Sequence, residues 1–189
     1  MEVGILILYA LVVLRLPMWL SLFCTWLHCG QEVVGNLPSY FEKLHNCYRD
    51  RDARLVLQLP HPVAVIAFGP GLAVSLSVLA LIGYGDMTRE PAQASLASIA
   101  LAALCGARLG DAALSHVLLA FFKRPNPGSS SCVMYVCEGL WISLYISWGA
   151  GEIAAALLAV AGFWLVNPVI GLVGLRLYDG TQQSEERAP

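Results

Sequence analysis

Charge is what this chain has least of. Eleven Lys and Arg and thirteen Asp and Glu make up 13% of its 189 residues, about half the share usual in soluble domains. No block of like charge stands anywhere, and a formal net charge of -2 gives no basis for a polyanionic partner, so nucleic-acid binding is excluded as an expectation. The six cysteines (Cys24, Cys29, Cys47, Cys105, Cys132, Cys137) include no C-x-x-C pair, which leaves free, mostly buried thiols rather than a disulfide or zinc framework. H-E-x-x-H is missing, as are the paired D-x-x-D elements of prenyltransferases. Four histidines are too few for a histidine-rich di-iron oxygenase. The first apolar run lacks a basic n-region and is too long for a signal peptide, so it reads as a retained segment. No internal repeat is visible.

What the chain has is apolar sequence: 58% hydrophobic residues and a mean hydropathy of +0.67. The composition predicts an all-α integral membrane bundle of five transmembrane helices, at about 3–34, 61–83, 92–122, 132–148 and 154–175, since roughly 20 apolar residues cross the hydrocarbon. One domain over 1–178 and a polar tail at 179–189 complete the expectation. Pro17 is the expected kink of the first span, and Arg15 within it needs a carboxylate or backbone carbonyl. Phe68-Gly69-Pro70-Gly71 is expected to break the second span. Asn167-Pro168 reads as a bend in the fifth, and Gly149 to Glu152 as a tight turn. Ser39-Tyr40-Phe41-Glu42 has capping-box spacing. With Tyr40, Phe41, Leu44, Cys47 and Tyr48 at helical spacing, 39–48 reads as a short amphipathic helix lying on the membrane, and His45 falls on its polar side.

Five spans put the termini on opposite sides. Lys43, Arg49, Arg51, Arg54, Lys123, Arg124, Arg176 and Arg187 then share one side and Arg89 the other. The positive-inside rule places the N-terminus outside and the C-terminus in the cytoplasm. Small residues recur every fourth position at Ala102, Gly106 and Gly110, and again at Gly139, Ser143 and Ser147. Such faces suit close helix contact and offer a route to oligomers.

His28 and Glu32 stand four residues apart and share a helix face. His116 and Glu138 fall at a similar depth, within roughly 10 Å of the same boundary at 1.5 Å per residue. His61 would form the rim, while Glu152 belongs to the opposite end. Arg108 and Asp111, three apart, are expected to neutralise each other. A histidine with a carboxylate one turn away is an acid–base unit, because the carboxylate fixes the tautomer and stabilises the charged ring. With His116 and Glu138 added, one group can donate a proton while another accepts one. That suits isomerisation, cyclisation or hydrolysis of a hydrophobic or lipid-like molecule in a pocket near the cytoplasmic boundary. Gln31, Asp111, Trp26 and Tyr135 are the expected substrate contacts.

This chemistry requires no cofactor. An alternative is a single divalent metal, zinc or iron, on His28, Glu32 and His116, with Glu138 as a further carboxylate. A second alternative is a carrier in which the same groups relay protons or ions. The expected partners are the lipid bilayer and a hydrophobic small molecule.

Leu16-Pro17, an aromatic-rich run, His28-Cys29-Gly30-Gln31-Glu32 and then Pro38 resemble the opening of the HXXEE family of small integral membrane proteins. That family carries H-x-x-E-E, then an N-x-x-x-H element, then Y-x-P-G. His28, Glu32, His116, Pro127 and Gly128 match, whereas Gln31, Ala112 and Pro125 stand in place of the first glutamate, the asparagine and the tyrosine. The resemblance implies that the matched residues form an active site. A looser likeness is to the emopamil-binding sterol isomerases, with H-x-x-x-E on a helix and Asp52-Ala53-Arg54 nearby, and it implies proton chemistry on a double bond.

Overall fold

The computed structural model describes residues 16–48, 62–85, 96–118 and 127–162. They form helices α1 (Leu16–Val34), α2 (Leu37–Tyr48), α3 (Pro62–Gly85), α4 (Leu96–Asp111, running directly into a π-helical segment, Ala112–Leu118), α5 (Cys132–Tyr145) and α6 (150–162). Arg15, His61, the charge run 49–54 with Asp52-Ala53-Arg54, Lys123-Arg124, Asn167-Pro168 and the tail 179–189 lie outside the described residues, as do the side chains of His45, Cys47 and Tyr48.

Pro17 is the second described residue of α1, and the expected kink falls at the edge of the described residues, since 1–15 lie outside them. The α1 chain closes through Gly35, whose N–H donates to the Gln31 carbonyl at 2.8 Å. Asn36 follows at φ 53°, a left-handed conformation that asparagine tolerates. Its side-chain oxygen accepts from the Ser39 N–H at 3.3 Å. Asn36 therefore takes the capping role expected of Ser39, and α2 starts two residues early. The expected break at Pro70 is absent: α3 is helical through it. Gly149 accepts the Ile153 N–H and donates its own N–H to Glu152, so the expected turn is the capped start of α6.

The five-span membrane bundle and the multi-pass location with an outside N-terminus are overturned. Among the described residues no helix is long and apolar enough to cross a membrane. Hydropathy counted apolar runs, but in two of them, 92–122 and 132–148, regular helix stops inside the run. The run at 92–122 yields a 16-residue α4 before the π segment begins, the run at 132–148 a 14-residue α5, and α1 carries His28, Gln31 and Glu32 in its last turns. The all-helical class holds among the described residues. In place of a helix lying on a bilayer, α2 packs on α3, with Leu37 and Phe41 buried against Tyr40 and Leu44.

The central element is α4. It packs between α3 and α5 and is buried along most of its length, with Ala102 and Leu104 fully enclosed. Met18 of α1, Leu76 and Ala80 of α3, and Ile142 of α5 complete one core with it, each large aliphatic contributing about 1.5–3 kcal/mol by burial. The small-residue face of α4 is used within the chain. A Cβ on Gly106 would run into the Ala156 carbonyl oxygen, and Gly110 abuts Val160, so the face receives α6. Gly139 of α5 likewise accepts Leu109. Glu152, set aside in the sequence as remote, is buried and accepts from Ser98 Oγ, tying α6 to α4. Large apolar side chains including Trp19, Phe23 and Leu144 remain exposed.

Candidate metal centre between α1, α4 and α5

Three helices each turn a polar stripe inward. On α1 the stripe is Ser21, Thr25, His28 and Glu32, spaced by four, three and four residues, which keeps them on one face; the first three are buried. On α4 it is Arg108 and Asp111, and on α5 Tyr135 and Glu138. His116 joins through the π segment. Five residues along a regular helix turn the side chain about 140° away, so Asp111 and His116 would diverge. The widened i→i+5 turn of Ala112–Leu118 brings them onto one side, where the Asp111 Oδ2 lies 3.8 Å from His116 Nε2.

The outcome is a tight convergence of lone-pair atoms. His28 Nε2 and His116 Nε2 face each other at 3.1 Å, their rings edge to face. Glu32 Oε1 lies 3.4 Å from the first and 3.9 Å from the second. Asp111 Oδ2 lies 3.3 Å from His28 Nε2. Both imidazoles are almost wholly buried, whereas the Glu32 side chain keeps 22% of its exposure. His28, Glu32 and His116 form a group that can hold a metal ion. In the absence of a metal the cluster must hold a proton. Burial alone would lower the His28 pKa, but hydrogen bonds from its ring to Asp111 and Glu32 and their negative charge outweigh that and raise it to about 9.

The turn after α4 closes over this cluster. Gly128 adopts φ 91°, a conformation that suits glycine. A Cβ there would stand 2.9 Å from His28 Cε1, 3.0 Å from His116 Cε1 and 3.1 Å from Glu32 Cγ. The preceding Pro127 presses on Gly35 at the end of α1. On the outer side of this turn lies a groove of about 640 Å³ lined by Trp26, Leu27, Gln31, Val34, Pro127 and Ser130, among others. Two of the expected substrate contacts, Trp26 and Gln31, therefore line one groove, and Gln31 Oε1 accepts the Ser130 hydroxyl at 3.0 Å. Tyr135 is instead buried beneath the centre, its ring 4.3 Å from that of His28. Asp111, also expected to contact substrate, is part of the convergence itself.

Glu138 is not brought to the histidines. Its Oε2 lies 2.9 Å from Nε of the fully buried Arg108. That approach is off the N–H axis, so it is an ionic contact without a hydrogen bond, and Arg108 Nε and Nη1 have no hydrogen-bond partner among the described residues. Tyr84 donates to Glu138 Oε1 at 3.1 Å. Arg108 Nη2 donates to the Ser21 carbonyl at 3.1 Å and to the Thr25 hydroxyl, and the guanidinium stacks 3.8 Å over the Tyr135 ring. The expected Arg108–Asp111 pair is thus replaced by two cross-helix pairings: Arg108 turns to α5 and α1, Asp111 to the histidines.

Three participants went unnoticed in the sequence. Ser21 and Thr25 carried a signal, the polar stripe of α1 in register with His28. Ser131, which contacts His28 Nδ1 at 2.7 Å, carried none, since a serine before a helix reads as a cap. Comparison with protein-family models, with curated proteins and with solved structures finds no match.

Proposed function

We propose that this chain is a metal-dependent enzyme, with one divalent ion held by His28, His116 and Glu32, acting on an apolar small molecule bound in the groove beside Gly128. The observation that carries this reading is the pair of imidazole Nε2 atoms facing each other at 3.1 Å with a carboxylate oxygen within 4 Å of both. Neutral nitrogen lone pairs and carboxylate oxygens repel one another unless a proton or a metal ion sits among them. Two imidazole nitrogens and a carboxylate oxygen suit zinc or iron, and their separations of 3.1, 3.4 and 3.9 Å leave room for one divalent ion among them.

Two imidazoles and one carboxylate are the donor set of hydrolytic zinc centres, which keep a position open for water or substrate. Asp111 Oδ2, at 3.3 and 3.8 Å from the two nitrogens, stands where it can fill that position or hold what enters it. Bound there, zinc supplies Lewis acidity. The residues supply the rest: Gly128 lies over both imidazoles and also lines the groove, Tyr135 packs against His28, and Glu32 keeps 22% of its exposure. Trp26, Leu27 and Val34 favour an apolar ligand, with Gln31 and Ser130 as its polar anchor. A second reading is proton chemistry without a metal, favoured by the charged form that Asp111 and Glu32 give His28; isomerisation or cyclisation would then follow the acid–base logic of the sequence.

Metal analysis of purified protein separates the two. Stoichiometric zinc in the wild type, falling at least 100-fold in affinity in both His28→Ala and His116→Ala, is the expected result. Wild-type protein that stays folded yet takes up no zinc, cobalt or iron would leave proton chemistry as the surviving reading.

A further inference from the structure

We infer that Ser131 is a positioning residue of this centre: its hydroxyl commits His28 to the Nδ1–H tautomer and so aims the Nε2 lone pair at the metal. The inference rests on the metal reading above. A hydroxyl has one proton to give. Ser131 Oγ donates it to the Gly128 carbonyl at 2.9 Å, so toward His28 Nδ1, 2.7 Å away, it can only accept. Nδ1 must then carry hydrogen. In the neutral ring that leaves Nε2 bare, and Nε2 is the atom facing His116, Glu32 and Asp111. Metal-ligating histidines are commonly held this way, by an acceptor on the far nitrogen.

A second observation makes the bond more than incidental. Ser131 occupies the N-cap position of α5, where a serine oxygen ordinarily accepts from the first-turn amides. It makes no such cap bond. Its backbone is in the right-handed helical region, φ -85° and ψ -14°, and its side chain is turned away from the helix into a buried path from Gly128 to His28. A residue type suited to stabilising the helix end is spent on an imidazole instead, the kind of local departure expected at functional sites. The acceptor at the far end, the Gly128 carbonyl, belongs to the same positive-φ residue that closes over the two rings. One turn thus covers the centre and sets the tautomer of its first ligand.

The test uses full-length purified protein and Zn²⁺ as the probe, with affinity read by competition against a chromophoric chelator. Ser131→Ala is expected to weaken zinc 10–100-fold, and Ser131→Thr, which keeps a hydroxyl, to restore it to within about threefold. Ser131→Ala loses no cap bond but does lose the buried bonds to Gly128 and His28, so the thermal midpoint of the metal-free variant should fall by a few degrees while the protein stays folded. Nitrogen-15 NMR of the zinc-loaded protein adds a readout that a merely structural serine would not move. His28 should coordinate through Nε2 in the wild type and lose its slowly exchanging Nδ1–H resonance in Ser131→Ala. If Ser131→Ala binds zinc as tightly as wild type with the same His28 signature, the positioning role is overturned and the metal reading stands. Wild-type protein without zinc binding overturns both.

Discussion

Two buried polar clusters lie side by side between α1 and α4, and they answer the cost of burial in opposite ways. In one, Arg108 supplies a permanent positive charge and Glu138 the negative one, with Tyr84, Ser21 and Thr25 as hydrogen-bonding neighbours. The cluster neutralises itself. In the other, one turn further along α1 and α4, two imidazoles, Glu32 and Asp111 bring acceptors together with no fixed cation among the described residues. A proton or a metal would complete that cluster. Tyr135 separates them, its ring carrying Arg108 on the guanidinium side and His28 nearby. A buried ion pair is a weak argument for function because it balances within the structure. A convergence of lone pairs is a stronger one, because its balance points to a ligand.

The comparison breaks most visibly at Arg108. Arg108→Met leaves Glu138 enclosed without its counter-charge and should cost about 3–5 kcal/mol of unfolding free energy, the usual penalty for breaking a buried pair. Arg108→Met combined with Glu138→Leu should recover most of that loss, since the Thr25 hydroxyl still donates to the Ser21 carbonyl at 2.9 Å. Zinc affinity in the double variant should stay within about tenfold of wild type. Denaturant unfolding and chelator competition on the same preparations would check both halves. A double variant no more stable than Arg108→Met, or one that loses its zinc, would mean that the two clusters are a single unit.

A smaller effect is expected at the turn covering the second cluster. Gly128→Ala places a Cβ about 3 Å from His28, His116 and Glu32 at a backbone angle that disfavours side chains. Strain of this kind costs about 1–3 kcal/mol, and displaced imidazoles should lower zinc affinity at least tenfold. Gly30→Ala is the contrasting change: nothing lies within 4 Å of its Cβ position, so helix propensity should stabilise α1 by about 0.5–1 kcal/mol. Similar stabilities for the two variants would remove the special role assigned to the turn.

The same contrast explains what could be read from the sequence. The His28–Glu32 pair was legible because both residues belong to one helix, and period alone places them together. Helix content was legible from apolar runs, but their ends were not, because the change from α to π at Ala112 and the stop of α5 at Tyr145 depend on tertiary packing. The expected in-helix pair of Arg108 and Asp111 failed for a related reason. Side chains three apart share a face, yet each found a better partner on another helix, and sequence spacing says nothing about partners across helices. Similar depth placed Glu138 with the histidines, whereas its position on α5 aims it at Arg108. Ser131 was hidden because its identity matched a bland role that it does not perform.

The smallest effect tests whether the self-neutralised cluster is as closed as the comparison holds. Tyr84 is buried and its hydroxyl donates to Glu138 Oε1 at 3.1 Å. Tyr84→Phe removes one donor to a carboxylate that retains Arg108, so the loss should be about 1–1.5 kcal/mol, in the range of a single hydrogen bond. In the Arg108→Met, Glu138→Leu background the same change should be neutral or stabilising, because the tyrosine hydroxyl there has lost its acceptor and phenylalanine leaves no polar atom unsatisfied. The difference between the two backgrounds isolates the Tyr84–Glu138 coupling, and zinc affinity should not respond in either. A Tyr84→Phe protein with undiminished stability but weakened zinc binding would show that the hydroxyl acts through Glu138, Arg108 and Tyr135 on His28. The fixed charges would then be supports of the metal centre, and the boundary drawn at Tyr135 would have to be given up.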